Sequence, residues 1–244
     1  MNDKVWTAGL VVIGDEILSG RTQDLNVQYL ATWLNERGVR LTEVRVVSDV
    51  TEHIVHAVNK LRTHYDYCFT TGGIGPTHDD ITADAIAEAF GVPIWEDPEA
   101  IRRLSERYEI TEKRRRMARI PKGGILIDNP VSQAPGFQME NVFTMAGIPK
   151  VMQAMLSTFG DRVKGGFPLL SRDVVFKSFE SKLAGPLEDL QHEFPDVSMG
   201  SYPFLLDGEA AVQIVARCTD EARLEAALES IKALGTPVEK KTND

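Results

Sequence analysis

The sequence predicts a parallel α/β domain over residues 1–165, followed by a small α+β unit over residues 166–244. Three observations carry that reading. The first half runs strand, helix, strand, helix, strand, loop, helix, the alternation that helical crossovers between parallel strands require. Its opening run, Trp6–Ile13, is almost uninterruptedly apolar, as in a central strand covered on both faces. Around Gly165-Gly166 the pattern changes to β-α-β-β-α.

Each element has its own signal. Trp6–Ile13 ends in Gly14-Asp15-Glu16-Ile17-Leu18-Ser19-Gly20, a turn holding two carboxylates. Leu25, Tyr29, Leu30, Trp33 and Leu34 then recur at helical spacing, and Gly38 stands where a helix C-cap falls. Val39–Val47 alternates as a second strand and ends at Ser48-Asp49. Thr51 is placed to N-cap the next helix, with Ile54, Val55, Val58 and Leu61 on its buried face. Tyr65–Thr71 is a third strand, leading directly into Gly72-Gly73-Ile74-Gly75-Pro76-Thr77-His78-Asp79-Asp80. Thr82 is expected to cap a helix reaching Phe90, with Asp84 in the first turn, where the helix dipole favours negative charge. Pro98–Tyr108 and Thr111–Ala118 read as helices. Ile125–Ile127, Phe137–Glu140 and Val142–Met145 read as short strands, with turns at Asn129-Pro130 and Pro135-Gly136. Pro149 opens a helix that buries Val151, Met152, Met155, Leu156 and Phe159. In the second unit, Asp173–Phe179, Val197–Ser201 and Ala210–Arg217 read as strands, and Leu183–Phe194 and Asp220–Leu234 as helices. Phe204–Gly208 is expected as a hairpin loop, and the charged tail after Pro237 as frayed.

Composition narrows the function classes. The chain is 43% hydrophobic and 26% charged over 244 residues, enough for a core of real size. No stretch approaches the ~18–20 uninterrupted apolar residues of a membrane helix. The N-terminus lacks the basic start and small-residue cleavage site of a secretion signal. Cys68 and Cys218 are the only cysteines and give neither metal-ligand spacing nor a disulfide framework, so a cytoplasmic location is expected. A net charge of −9 argues against a broad nucleic-acid surface. The basic run Lys113-Arg114-Arg115-Arg116 with Arg119 is either a solvated helix face or a cationic rim that attracts a phosphorylated ligand.

Open α/β sheets bind ligands at the carboxyl ends of their strands. The loops after Ile13, Val47 and Thr71 all fall at that edge. The loop from Thr71 to Asp80 is the strongest candidate, because Gly72, Gly73 and Gly75 let the backbone approach a ligand and turn N–H groups toward phosphate oxygens. The helix starting near Thr82 adds its positive end. Asp79 and Asp80 would repel a phosphate unless a divalent cation such as Mg²⁺ lay between; the alternative is that they cap the helix. The loop is not a P-loop, since no Lys and Ser/Thr follow its last glycine. Asp15 and Glu16 could orient a ribose, a water or a metal, or could belong to an ordinary polar turn, and Asp49 adds a further acid. The histidines at 53, 56, 64, 78 and 192 form no metal-spaced cluster. His78, inside the glycine loop, could touch phosphate or move a proton. The expected ligand is a nucleotide-like or pterin-like phosphate compound.

Several of these segments resemble a known family. Gly14–Gly20 with Asn26, Ser48-Asp49, Thr70–Thr82, Asn129-Pro130, Ala134-Pro135-Gly136-Phe137 and Gly147-Ile148-Pro149 together resemble the molybdopterin-binding (MoaB/Mog-like) family over about residues 5–160. The match looks closest to the branch that forms the N-terminal region of the competence/damage-inducible protein CinA. A similar domain is fused to eukaryotic FAD synthase, and the segment after Gly165 resembles the small KH-like unit that follows in CinA-type chains. The resemblance implies a three-layer α/β fold with a mostly parallel sheet, and a homo-oligomer. It places a nucleotide or pterin ligand against Gly14, Asp15, Glu16, Ser19, Asn26, Thr71, Gly72, Gly73, Gly75, Thr77, Asn129, Pro135, Gly136 and Gly147. It implies Asp49, Asp80 and Asp79 as catalytic acids, with Asp49 and Asp80 holding a divalent metal. The CinA-like branch resembles a metal-dependent pyrophosphatase of ADP-ribose and related nucleotides, which is the activity expected here. Adenylyl transfer to molybdopterin, or non-catalytic binding of a pterin or nucleotide, are the alternatives. Met145-Ala146-Gly147 stands where CinA-type chains usually carry Leu-Pro-Gly, and Lys150 where they tend to carry Glu, which weakens the expectation for that loop. No counterpart of the CinA amidohydrolase domain is expected, and the second unit lacks a Gly-x-x-Gly loop, its nearest turn being Ala184-Gly185-Pro186, so no RNA role is expected.

Overall fold

Residues 4–238 are described by the structure, a computed structural model. In chain order the first unit holds β1 (Trp6–Ile13), α1 (Asp15–Leu18), α2 (Asn26–Asn35), β2 (Val39–Val47), α3 (Thr51–His64), β3 (Tyr67–Thr71) and α4 (Thr82–Phe90). It continues with β4 (Ile94–Glu96), α5 (Pro98–Ser105), α6 (Glu112–Arg115), β5 (Arg119–Pro121), β6 (Ile125–Ile127), β7 (Gly136–Met139), β8 (Val142–Met145) and α7 (Pro149–Leu156). The division into two compact units falls between Gly166 and Phe167.

The main sheet has the order β2-β1-β3-β8-β7-β6. β2, β1, β3 and β8 pair in parallel, and β7 and β6 join antiparallel. β3 and β8 are buried along their whole length, and β1 from Ala8 onward, because helices cover both faces. On one face Leu10, Val12, Phe69 and Phe143 pack with Leu30 and Trp33 of α2 and with Met152 of α7. On the other, Val11, Cys68 and Val142 pack with Ile54, Val58 and Leu61 of α3, Ile86 of α4 and Leu104 of α5. The result is the three-layer α/β arrangement with a mostly parallel sheet. Stacked rings stiffen the first layer, Phe143 lying 5.3 Å from Phe69 and 5.1 Å from Phe159 between centroids. β2 alternates instead of reading as a continuous apolar run, because it is the sheet's edge strand.

Register aligns the strand ends. Ile13 pairs with Val47, Val12 with Thr71, and Thr71 with Met145. Four loops therefore leave one edge of the sheet side by side.

Local details depart from expectation in a few places. The Gly14–Gly20 turn contains a helical turn, α1. Neither Thr51 nor Thr82 is a side-chain cap; each is the first helical residue, after Val50 and Ile81. Leu25 and Tyr29 are substantially exposed, so the buried face of α2 is Asn26, Leu30, Trp33 and Leu34. The small antiparallel β4–β5 ribbon was not expected; its strands of three residues each are too short for a period to emerge.

The second unit contains β9 (Leu170–Phe176), α8 (Glu180–Glu193), β10 (Ser198–Leu206), β11 (Glu209–Cys218), α9 (Glu221–Lys232) and β12 (Pro237–Val238). Its sheet, ordered β10-β11-β9-β12, is antiparallel throughout. Val174, Phe176, Val212 and Ile214 pack beneath Leu183 of α8 and Leu224, Leu228 and Ile231 of α9. The hairpin loop is tighter than Phe204–Gly208: pairing continues to Leu206–Glu209, and only Asp207 and Gly208 turn, at φ 53° and 81°. Those angles are of the type I′ class that Asp-Gly favours. Ala184-Gly185-Pro186 lies inside α8 and is no turn; Lys182 and Pro186 are both exposed, so water can take the carbonyl the ring leaves without a donor. Pro237 and Val238 pair with β9, while the rest of the tail expected to fray lies outside the described residues. Among the described residues no helix is long and apolar enough to cross a membrane.

Candidate functional site

A cleft of about 540 Å³ opens in the first unit at the edge where the four loops emerge. Its walls come from the ends of β1 (Ile13, Gly14, Glu16), β2 (Asp49), β3 (Gly72 to Pro76, Asp79, Asp80) and β8 (Ala146 to Pro149). Met117, Asn129, Ser132 and Ala134 close it from the remaining side. The volume suits a nucleotide-sized ligand.

The glycine loop is built by close approach. Gly72 has φ +106°, and a Cβ there would sit 2.1 Å from the Ile13 carbonyl oxygen. Gly73 has φ +65°, and its Cβ would meet the Thr82 hydroxyl at 2.2 Å. Thr82 imposes the second constraint and also ties the loop down. Fully buried, its Oγ1 donates to the Gly72 carbonyl at 2.9 Å and its N–H to the Gly73 carbonyl at 3.0 Å, fastening the loop to the start of α4. That duty is why it does not cap the helix. The Gly72 N–H is also spent, on the Met145 carbonyl, so Gly72 shapes the cradle without donating to a ligand. The N–H groups of Gly73, Ile74 and Gly75 have no acceptor among the described residues and line the cleft.

The carboxylates are held by the backbone. Asp49 Oδ2 accepts the Asp15 N–H at 2.9 Å, tying the loops after β2 and β1 together. Asp80 Oδ2 accepts the Thr77 N–H at 2.7 Å and also the Thr77 hydroxyl. Each acid is thus oriented by one oxygen and leaves the other uncommitted. Burial pushes the Asp49 carboxyl above its ordinary range, and the charges of Asp15, Glu16 and Asp79 push the same way, against the pull of the Asp15 N–H. Among the described residues, no three His, Cys, Asp or Glu side chains gather closely enough to hold a metal by themselves. What the cleft offers a cation from the protein is one oxygen each of Asp49 and Asp80; a hard cation such as Mg²⁺ held by so few carboxylates keeps the rest of its shell as water or phosphate oxygen.

Other expected residues take different places. Asn26 is buried; its Nδ2 donates to the Gly147 carbonyl at 2.7 Å, while its Oδ1 has no partner among the described residues. Thr71 is buried at the end of β3, and its hydroxyl is likewise unpartnered. Ser19 donates to the Glu16 carbonyl and does not line the cleft. Asn129 lines it, but its amide is consumed by Val131, Ser132 and Ala134, which makes it the organiser of its own loop. Gly136 belongs to the sheet: a Cβ would stand 2.3 Å from the Thr144 carbonyl oxygen. Pro135 faces a smaller depression behind the glycine loop, with Ala83 and Asp84 at the start of α4. His78 is almost fully exposed, 3.9 Å from Asp79, and outside the cleft.

The basic run resolves residue by residue. Arg116 donates from Nε to the Thr77 carbonyl at 3.0 Å and from Nη2 to the Asp80 carbonyl, clamping the glycine loop from outside. Arg115 pairs with Glu96, and Arg119 with Asp84. Met117, Ala146, Ile148 and Val151 were not expected as walls of the site, whereas Gly147, between Ala146 and Ile148, was. Pro149 opens α7 beside them.

Known proteins are similar to the chain across both units. The family described as "Probable molybdopterin binding domain" matches residues 9–199, and the one described as "FAD synthase, middle domain" matches residues 168–239. A CinA-like protein of Sulfurihydrogenibium sp. is 32% identical over 76% of this chain and 50% of its own length. A probable FAD synthase of Caenorhabditis briggsae is 30% identical over 93% of this chain and 49% of its own. The chain spans about half of each. The crystal structure of a CinA protein of unknown function from Thermoplasma acidophilum superposes with a TM-score of 0.61 at 31% identity, covering 64% of this chain and 96% of that one.

Proposed function

We propose, for a chain that belongs to the molybdopterin-binding (MoaB/Mog-like) domain family with CinA-like relatives, that the cleft hydrolyses the diphosphate bond of ADP-ribose or a related nucleotide. The carrying observation is the pairing of free N–H groups on Gly73, Ile74 and Gly75 with two acids, Asp49 and Asp80, each fixed by one oxygen and open at the other. The N–H groups suit a diphosphate's oxygens, which Asp49 and Asp80 alone would repel. A divalent cation held by Asp49 and Asp80 would neutralise that charge and polarise the phosphorus centre. Glu16, which lines the cleft, would orient the attacking water. Water's oxygen bonds to phosphorus, the bridging P–O bond breaks, and AMP leaves with ribose 5-phosphate. The apolar wall of Ile74, Met117, Ile148 and Val151 suits the flat face of a base. We take the working form to be a cytoplasmic homo-oligomer with a small-molecule nucleotide or pterin ligand, checked by sedimentation.

The test is a hydrolysis screen over diphosphate-linked nucleotides with several divalent metals, FAD included because a relative bears the name probable FAD synthase. Metal-dependent release of AMP from ADP-ribose is expected. Asp80→Ala should abolish it with little change in Tm, since its bonds to Thr77 are exposed. Absence of AMP release, with turnover of molybdopterin and ATP instead, would replace this reading by adenylyl transfer. Binding of ADP-ribose without any metal dependence or turnover would reduce the chain to a binding module.

A further inference from the structure

Pro76 is shared between the cleft and a second depression of about 610 Å³. The other lining residues are Thr77, His78, Thr111, Lys113, Arg114 and Arg116. Four of these seven residues, counting His78, are basic and none is a carboxylate, in a chain of net charge −9. Within the basic run, Arg115 and Arg119 are neutralised by Glu96 and Asp84, and Arg116 is occupied by the glycine loop. Lys113 differs. It is exposed, and its ammonium has no hydrogen bond or ion pair to any described residue. Arg114 gives one N–H to the Glu109 carbonyl and lies over the Tyr108 ring at 5.0 Å, which holds the guanidinium in place with donors to spare.

We propose that this depression is a second anion subsite, taking a phosphate monoester carried on the sugar of the same diphosphate-linked nucleotide that occupies the cleft. The proposal rests on the nucleotide reading of the cleft. An ammonium, a guanidinium fork and the Thr111 hydroxyl offer donors, the Thr77 hydroxyl being spent on Asp80, and no lining residue is itself a carboxylate, which selects a dianion with several acceptor oxygens. A phosphate monoester carries about 1.5 to 2 negative charges near neutrality, more than a carboxylate, and fits that set better. Geometry supplies the link: Gly75, in the cleft, and Thr77, in the depression, flank Pro76, so one ligand can reach across a single residue.

Calorimetry at low ionic strength with ADP-ribose and ADP-ribose 2′-phosphate, on the full chain and on Lys113→Ala, tests this. The 2′-phosphate should bind about fivefold tighter, an advantage that Lys113→Ala removes and that salt erodes, while ADP-ribose binds both proteins alike. Equal affinity of the two ligands for the unaltered chain overturns the subsite, as does an equal loss of both in the variant. Inorganic phosphate, titrated alone, separates the sources of the anion. Lys113-dependent binding of it, without preference between the nucleotides, assigns the depression to the free ion and overturns the substrate-borne assignment. A Lys113-dependent preference with no hydrolysis of ADP-ribose leaves the subsite standing and sinks the pyrophosphatase reading; hydrolysis without preference does the reverse.

Discussion

Asp49 accepts the Asp15 N–H with one oxygen while Asp15, Glu16 and Asp79 press on it with like charge. Its folded-state value is raised, so the contribution of this group to stability is fullest at low pH and is lost as pH rises through that value. Asp49→Asn keeps an oxygen for the Asp15 N–H and removes the desolvated charge. We expect its Tm at neutral pH to be unchanged or slightly higher, while metal-dependent turnover falls by about 100-fold or more. A melting scan beside a kinetic assay decides this, and a clear drop in Tm would mean that the charge itself stabilises the fold. The raised value also sets pH dependence. A cation and a proton compete for the same carboxylate, so metal affinity should begin to fall, on acidification, above the ordinary carboxylate range. Metal titrations across pH check it; a fall confined to ordinary carboxylate values counts against Asp49 as a ligand. The sequence made Asp49 one acid among several at strand ends. It could not tell which of its oxygens would be taken, because the partner, Asp15, lies 34 positions away.

The strand–loop–helix element from β3 to α4 depends on Thr82. Thr82→Val keeps the shape, deletes the bond to the Gly72 carbonyl and leaves that carbonyl buried without its donor. A loss of about 1–3 kcal/mol is expected in denaturant melts, together with weaker ADP-ribose binding as the loop loosens. Unaltered binding would mean that the loop is held by other means. Gly73→Ala should be worse than Thr82→Val, since it adds a clash with the same hydroxyl to a left-handed backbone. The glycines were legible in the sequence as a cradle. Their division of labour was not: Gly72 is required by the Ile13 carbonyl, Gly73 by Thr82, and Gly136 by the Thr144 carbonyl of the neighbouring strand. Sequence spacing marks where a side chain is absent and is silent about what lies in the vacated space.

At the scale of the whole molecule, each unit has its own core, two apolar layers in the first and one in the second. Every residue lining the cleft precedes Phe167. A chain ending after Gly166 should therefore fold cooperatively and bind ADP-ribose with the affinity of the full chain. Circular dichroism melting and calorimetry on the fragment test both parts; a fragment that folds but fails to bind would assign the second unit a share in recognition.

The sequence by itself determined the α/β order, the parallel pairing of the first three strands, the change of pattern near Gly166 and the place of the glycine loop at the end of β3, because local periodicity and glycine placement are one-dimensional signals. Tertiary structure alone decided that Thr82 fastens the loop, that Arg116 clamps it and that Asn129 serves its own turn. It also decided that Ala146, Ile148 and Pro149 wall the cleft beside Gly147, the one residue of that segment expected there. Apart from the turn that Asn129 organises within five positions, those outcomes bring together residues ten or more positions apart, through strand register and packing, and no local pattern encodes them.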